Sequence, residues 1–277
     1  MKLKLLSGLL ILLTASAAAF SLGGLFQNDT GTAALVKLSG SITPTSSGLG
    51  SGGITPEQVR NLNEKVRQGN YDAVIYEINS GGGAVVASKE IKRSIENMDI
   101  PTVCRFRDMA ASGAYLIAMG CDKIVADSAT ITGSIGVTSS YLEFSGSLKK
   151  FGVEYVNISA GKYKEVGSRF SNASKEEKKI LNDMAEDIQK EFINLVDKQR
   201  NLTDSEVSKI ETAKIFLGDE AKNISLVDKL GGRGTAVDVA ENLAGKNLKL
   251  KEVQTRQSFS LLSMFLSSTG VGDFLAN

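Results

Sequence analysis

The chain has 277 residues, 42% of them apolar, enough for one large domain or two small ones. Its 32 basic and 31 acidic residues nearly cancel, so charge gives no case for a nucleic-acid partner. It contains no histidine, which excludes Ser-His-Asp hydrolysis, Cys-His hydrolysis and His-ligated zinc. The two cysteines, Cys104 and Cys121, sit in apolar runs with no CxxC motif. They read as two buried free thiols, with a disulfide as the alternative.

Lys2 and Lys4 precede an uncharged run from Leu5 to Asn28. Ala17-Ala18-Ala19 offers a small-residue cleavage site, so a signal peptide is one reading. The run is also long enough to cross a bilayer, which favours an uncleaved anchor. Lysines before the span place the N-terminus in the cytoplasm and the following domain outside. The expected division is a signal anchor or signal peptide at 1–28, one domain at 29–255, and an amphipathic C-terminal tail at 256–277 that contains Phe259 to Leu266.

Ala33 to Leu38 reads as the first strand, followed by a Gly/Ser/Thr-rich loop from Ser39 to Gly53. Thr55-Pro56-Glu57 opens a helix, with Val59, Leu62 and Val66 at helical spacing. Ala73 to Ile78 is a second strand, Ala84 to Met98 a helix, and Thr102 to Phe106 a third strand. A short helix from Ser112 to Met119 and a strand from Asp122 to Ala126 follow. This alternation predicts βαβ crossovers and a parallel sheet. Further on, Ser139 to Phe151 reads as helix, Val153 to Ile158 as strand, and Ser159 to Ser171 as a polar loop. Ser174-Lys175-Glu176-Glu177 is a capping box for a long helix to about Arg200. Ile180, Met184, Ile188, Phe192 and Leu195 form its apolar stripe. Leu202 to Ala213 reads as helix, short elements fill 219–243, and Leu248 to Val253 is a late strand.

Three loops carry the chemistry. Asn79-Ser80-Gly81-Gly82-Gly83 is a strand-to-helix turn that can present N–H groups to a phosphate or an oxyanion, though GxGxxG and GK[ST] are both absent. Ser112 lies among Ala110, Ala111, Gly113 and Ala114, whose small side chains leave its hydroxyl accessible; the bland alternative is an N-cap serine. Thr132 to Val137 brings a second serine, Ser134. A serine nucleophile without histidine needs another base, and a lysine that gives up its proton is the established substitute. Lys162 and Lys164 stand out because they lie in a Gly/Ser-bearing loop rather than on a charged helix face. SxxK at Ser147–Lys150 and Ser159–Lys162 lacks SDN and KTG partners and is chance.

The order Asn79-Ser80-Gly81-Gly82-Gly83, Ala110-Ala111-Ser112-Gly113-Ala114-Tyr115, Thr132-Gly133-Ser134-Ile135-Gly136-Val137 and Ser159-Ala160-Gly161-Lys162-Tyr163-Lys164 resembles the signal peptide peptidase A (protease IV) family over about residues 33 to 255. The resemblance implies an α/β ClpP/crotonase-like fold and a membrane-anchored serine endopeptidase with a Ser–Lys dyad. It maps the nucleophile to Ser112, the general base to Lys164, the supporting serine to Ser134, and the oxyanion donors to Gly83 and Gly113. It also implies a homo-oligomeric ring, peptide substrates that are signal-peptide remnants or membrane-proximal segments, lipid contact through the N-terminal segment, and no metal or cofactor. The catalytic domain would lie on the extracytoplasmic side of the cell membrane. One departure is visible: the family usually has Ser-Pro-Gly-Gly where this chain has Ser80-Gly81-Gly82-Gly83. The rivals are a related peptidase that cuts one dedicated membrane-protein partner, a crotonase-like acyl-CoA enzyme and an inactive scaffold.

Overall fold

A computed structural model describes residues 30–45 and 53–254. The expected anchor at 1–28 and tail at 256–277 lie outside the described residues. Among the described residues, no helix is long and apolar enough to cross a membrane.

The strands are β1 (Gly31–Ser39), β2 (Ala73–Ser80), β3 (Thr102–Ala111), β4 (Lys123–Ala126), β5 (Ile131–Gly133), β6 (Ile215–Leu217), β7 (Lys229–Leu230) and β8 (Leu248–Glu252). They form one sheet in the order β6-β5-β3-β2-β1-β8, with β4 paired to both β3 and β7. Every pairing is parallel except β5 with β6. The sheet is therefore mixed rather than purely parallel. The antiparallel β6 and the two-residue β7 are too short to leave a periodic pattern in the sequence.

Alternate residues of each central strand enter different cores. Ala34, Val36 and Leu38 of β1 join Val74, Tyr76 and Ile78 of β2 on one face. Ala33 and Leu35 join Ala73, Ile75, Val103 and Val125 on the other. Both faces are covered, which is why these strands read as continuous apolar runs. The first face carries helices α1 (Pro56–Gln68), α2 (Val85–Glu96), α3 (Gly113–Ala118) and the buried part of α5 (Lys175–Arg200). The second is closed by Ala236 and Ala240 of α8 (Arg233–Ala244). The short helices α4 (Ser145–Lys150), α6 (Asp204–Ile210) and α7 (Gly218–Asn223) complete the described chain.

The expected caps form. The Thr55 hydroxyl accepts from the Gln58 N–H with Pro56 in the first turn. Ser174 with Glu177, and Thr203 with Glu206, make full capping boxes. The two buried tyrosines are matched: the Tyr76 hydroxyl donates to Asn63 Oδ1 at 2.6 Å, and the Tyr115 hydroxyl donates to the Leu226 carbonyl at 2.8 Å.

Four expectations change. Cys104 and Cys121 are not free thiols but a disulfide, with Cα atoms 5.8 Å apart. β3 does not stop at Phe106; it resumes through Met109 to Ala111 after a register shift opposite Ile78 and Ser80. The helix expected from Ser139 shortens to Ser145–Lys150. Val153 to Ile158 forms no strand, and Val156 and Ile158 are 70% and 96% exposed. Strand preference in such a run expresses packing against neighbouring strands, and none of the described strands pairs with it.

Candidate active site

The parallel pairing of β2, β3 and β5 brings the three loops to one edge of the sheet, the edge where α/β folds place their sites. Ala111 of β3 pairs with Gly133 of β5. The next residues are Ser112 and Ser134, so two serines leave adjacent strands side by side. The Ser112 N–H donates to the Gly133 carbonyl at 2.8 Å, which locks the two turns together.

Both serines occupy a backbone region that disfavours a Cβ, with φ of 53° at Ser112 and 51° at Ser134. Each such residue stores about 1–3 kcal/mol that the surrounding structure must offset. Ser112 precedes α3 directly, yet its side chain makes no capping hydrogen bond. The bland N-cap reading is therefore not what the structure shows. The hydroxyl is half-buried and uncommitted at the cleft.

The glycine turn lies against it. A Cβ at Gly82 would come within 3.0 Å of Ser112 Cβ and 2.8 Å of the Gly113 nitrogen. Gly83, at φ 157°, sits so close to Ile42 that a Cβ would meet its carbonyl oxygen at 2.1 Å. Ile42 clamps the turn: its N–H donates to the Gly82 carbonyl at 3.0 Å, and the Ala84 N–H donates to its carbonyl at 2.9 Å. This bridge leaves the Gly83 N–H outside its pattern. Gly113 is the first residue of α3, where an N–H has no intrahelical acceptor. A Cβ built on Gly113 would lie 3.2 Å from the Gly83 nitrogen, so the two N–H groups are neighbours. Gly81, which stands in the proline position, leaves this arrangement intact.

A narrow cleft opens here. Gly83, Val85 and Lys89 line it from α2 and its entry, and Ser112, Gly113 and Leu116 from α3. Gly136 and Val137 line it from the loop after Ser134, and Ile188, Glu191, Phe192 and Leu195 from α5. Lys89 and Glu191 face each other at 2.5 Å. Sequence reading missed this pair and the role of Gly136 and Val137. The apolar stripe of α5 was legible, but no local signal pairs Lys89 with Glu191, which lie 102 positions apart on different helices.

Lys164 is not among the residues lining the cleft. It is exposed on the segment after Gly152, where its N–H donates to the Gly161 carbonyl at 3.1 Å. The neighbouring Lys162 ammonium donates to Glu176 at 2.8 Å, and the Tyr163 hydroxyl bonds the same carboxylate. The Glu176 hydrogen bond, helped by that of Tyr163, holds the Lys162 ammonium above its ordinary value. Lys162 is therefore committed as a cation. The structure brings together Ser112, Ser134, Gly83 and Gly113 of the expected set, and in the single chain it leaves Lys164 apart from them. No group of three or more acidic or cysteine side chains among the described residues could hold a metal ion.

Residues 95–247 match the model of peptidase family S49. A protein of Enterococcus faecium named as a signal peptide peptidase is 38% identical over 168 residues, 60% of this chain and 49% of its own length. Protease 4 of Haemophilus influenzae is 35% identical over 209 residues, 72% of this chain and 34% of its own length. The chain thus spans about half of the first relative and about a third of the second. The solved structure of a membrane-bound stomatin-specific protease shares the fold at a TM-score of 0.55 and 15% identity, covering 82% of this chain and 99% of that one.

Proposed function

Because the chain belongs to peptidase family S49, we propose that it is a membrane-anchored serine endopeptidase in which Ser112 is the nucleophile and Lys164 the base. The observation that carries this reading is the uncapped Ser112 hydroxyl, held at φ 53° beside the N–H groups of Gly83 and Gly113. A hydroxyl committed to capping would be a structural residue; this one is held in a strained turn and points its chemistry at a cleft.

The steps follow from this placement. Ser112 Oγ attacks a peptide carbonyl as its proton passes to the neutral Lys164 amine. The carbonyl oxygen becomes an oxyanion and accepts hydrogen bonds from the Gly83 and Gly113 N–H groups, which are in place before reaction. Lys164 then returns the proton to the leaving amine, an acyl-enzyme forms, and water releases it. Ser134, beside Ser112, orients the lysine through its hydroxyl. No metal or cofactor enters any step.

Lys89 is the lysine inside the cleft, but its ammonium is paired with Glu191. Lys162 is paired with Glu176. The family resemblance selects Lys164, which must reach Ser112 by movement of the segment after Gly152, in this chain or from a second copy. The exposed apolar side chains of that segment support assembly, with Val156 70% and Ile158 96% exposed. We take the assembly to be a homo-oligomeric ring.

The substrates are cleaved signal peptides and other extended membrane-proximal segments, which suit a narrow apolar cleft better than folded protein does. The domain works on the extracytoplasmic side, held by residues 1–28 as a single-pass anchor. The Cys104–Cys121 disulfide supports that compartment, since such bonds persist where the environment is oxidising. The test is a fluorophosphonate probe on the purified full chain. Covalent labelling at Ser112, lost in Ser112→Ala together with peptide hydrolysis, is the expected result. Hydrolysis that survives Ser112→Ala overturns the assignment.

A further inference from the structure

The cleft beside Ser112 is apolar with one exception. Val85, Leu116, Ile188, Phe192 and Leu195 supply hydrocarbon walls, and Lys89 with Glu191 supplies one cation and one anion. The pair joins α2 to α5, the two helices that flank the cleft. Lys89 lies one helical turn beyond Val85, about 6 Å further along α2. The pair lines the same cleft as Ser112, Gly83 and Gly113, so a substrate side chain that enters the cleft beside Ser112 meets it.

Resting on the Ser112 reading, we propose that Lys89 and Glu191 are the specificity-determining residues of this cleft. Paired, they cancel each other's charge and leave a pocket for apolar side chains. A charged substrate side chain must compete with the partner already present, and it loses.

The two members are not equivalent. The Lys89 side chain is 24% exposed and that of Glu191 61%. An unpaired Lys89 would be a largely desolvated cation facing the pocket, and it would recruit an acidic side chain strongly. An unpaired Glu191 stays well hydrated and recruits a basic side chain only weakly. The preference of the pocket should thus turn acidic more readily than it turns basic.

The experiment uses the full-length protein and three fluorogenic peptides that differ only in Leu, Glu or Lys before the cut bond. Glu191→Gln is expected to raise the Glu-to-Leu ratio of kcat/KM roughly tenfold, and Lys89→Met to raise the Lys-to-Leu ratio about threefold. Lys89→Glu combined with Glu191→Lys rebuilds the pair in reverse and should return the preference to Leu, which separates lost charge balance from misfolding. Unchanged ratios in both single variants overturn the proposal. So does loss of all cleavage in Lys89→Met with Ser112 still labelled by the probe, because Lys89 would then belong to the chemistry. A Ser112→Ala variant as active as wild type overturns the Ser112 reading and this proposal together, whereas unchanged ratios with an inert Ser112→Ala overturn this proposal alone.

Discussion

Ser112 and Ser134 leave adjacent strands as the residues next to the Ala111–Gly133 pair, and both hold φ near +50°, at 53° and 51°. The Ser112 N–H reaches the Gly133 carbonyl at 2.8 Å, so neither turn can relax without the other. Two strained serines side by side are a cost that the rest of the fold must offset. Under the proposed function, the half-buried hydroxyls turn that cost into chemistry.

Ser112 should therefore trade stability against activity. Ser112→Ala is expected to abolish hydrolysis, with little change in stability because no capping bond is lost. Ser112→Gly is expected to be equally inactive yet more stable by about 1 kcal/mol, since glycine relieves the positive φ. Denaturant unfolding of the three proteins, run beside the peptide assay, checks both halves.

Gly83 should accept no side chain. In Gly83→Ala a Cβ would stand 2.1 Å from the Ile42 carbonyl oxygen, so the turn must shift and carry its N–H with it. We expect a loss of activity of about a hundredfold or more, the scale of removing one oxyanion donor. A variant with wild-type kcat would show that the Gly83 N–H does not serve the oxyanion.

Lys164→Ala should be inactive and Lys162→Ala tolerated, because Lys162 serves Glu176. A lysine base works in its neutral form, so kcat/KM should rise with pH. Mixing Ser112→Ala with Lys164→Ala chains distinguishes two routes for the lysine. Recovered activity shows that the base comes from a second copy; no recovery, with each variant folded, places it in the same chain.

The disulfide should stabilise the folded state by about 3 kcal/mol, the figure for a loop of this length. It ties β3 to the turn after α3, the helix that Ser112 opens. Reduction is expected to lower Tm by several degrees and to weaken the site with it. Thermal unfolding with and without dithiothreitol measures this.

Acid should loosen the clamp at Asp228. Burial opposes its charge, but the Arg200 guanidinium at 2.8 Å and the Ile124 N–H at 2.8 Å outweigh that and hold the carboxyl below its ordinary range. A depressed folded value means that the stabilisation is complete above the ordinary carboxylate range and disappears as pH falls through the lower, folded value. Asp228→Asn should be less stable than wild type at pH 7, with the gap closing in acid. Urea midpoints across pH 3 to 7 give the test.

Much of this protein was legible in its sequence. The apolar runs of β1, β2 and β3, the Thr55 and Ser174 caps and the order of the Gly, Ser and Lys motifs are all local signals. They depend on a residue's own preference and its near neighbours, so they survive without knowledge of the fold. Tertiary structure alone decided the rest. Whether Cys104 meets Cys121, whether Val153 to Ile158 finds a strand to pair with, and whether the Ser112 hydroxyl caps α3 are questions of which distant groups arrive at one place. The Lys89–Glu191 pair is of the same kind, separated by 102 positions in the chain yet 2.5 Å apart in space. Such contacts exist only once the sheet has set the helices beside one another, and residue preference carries no trace of them.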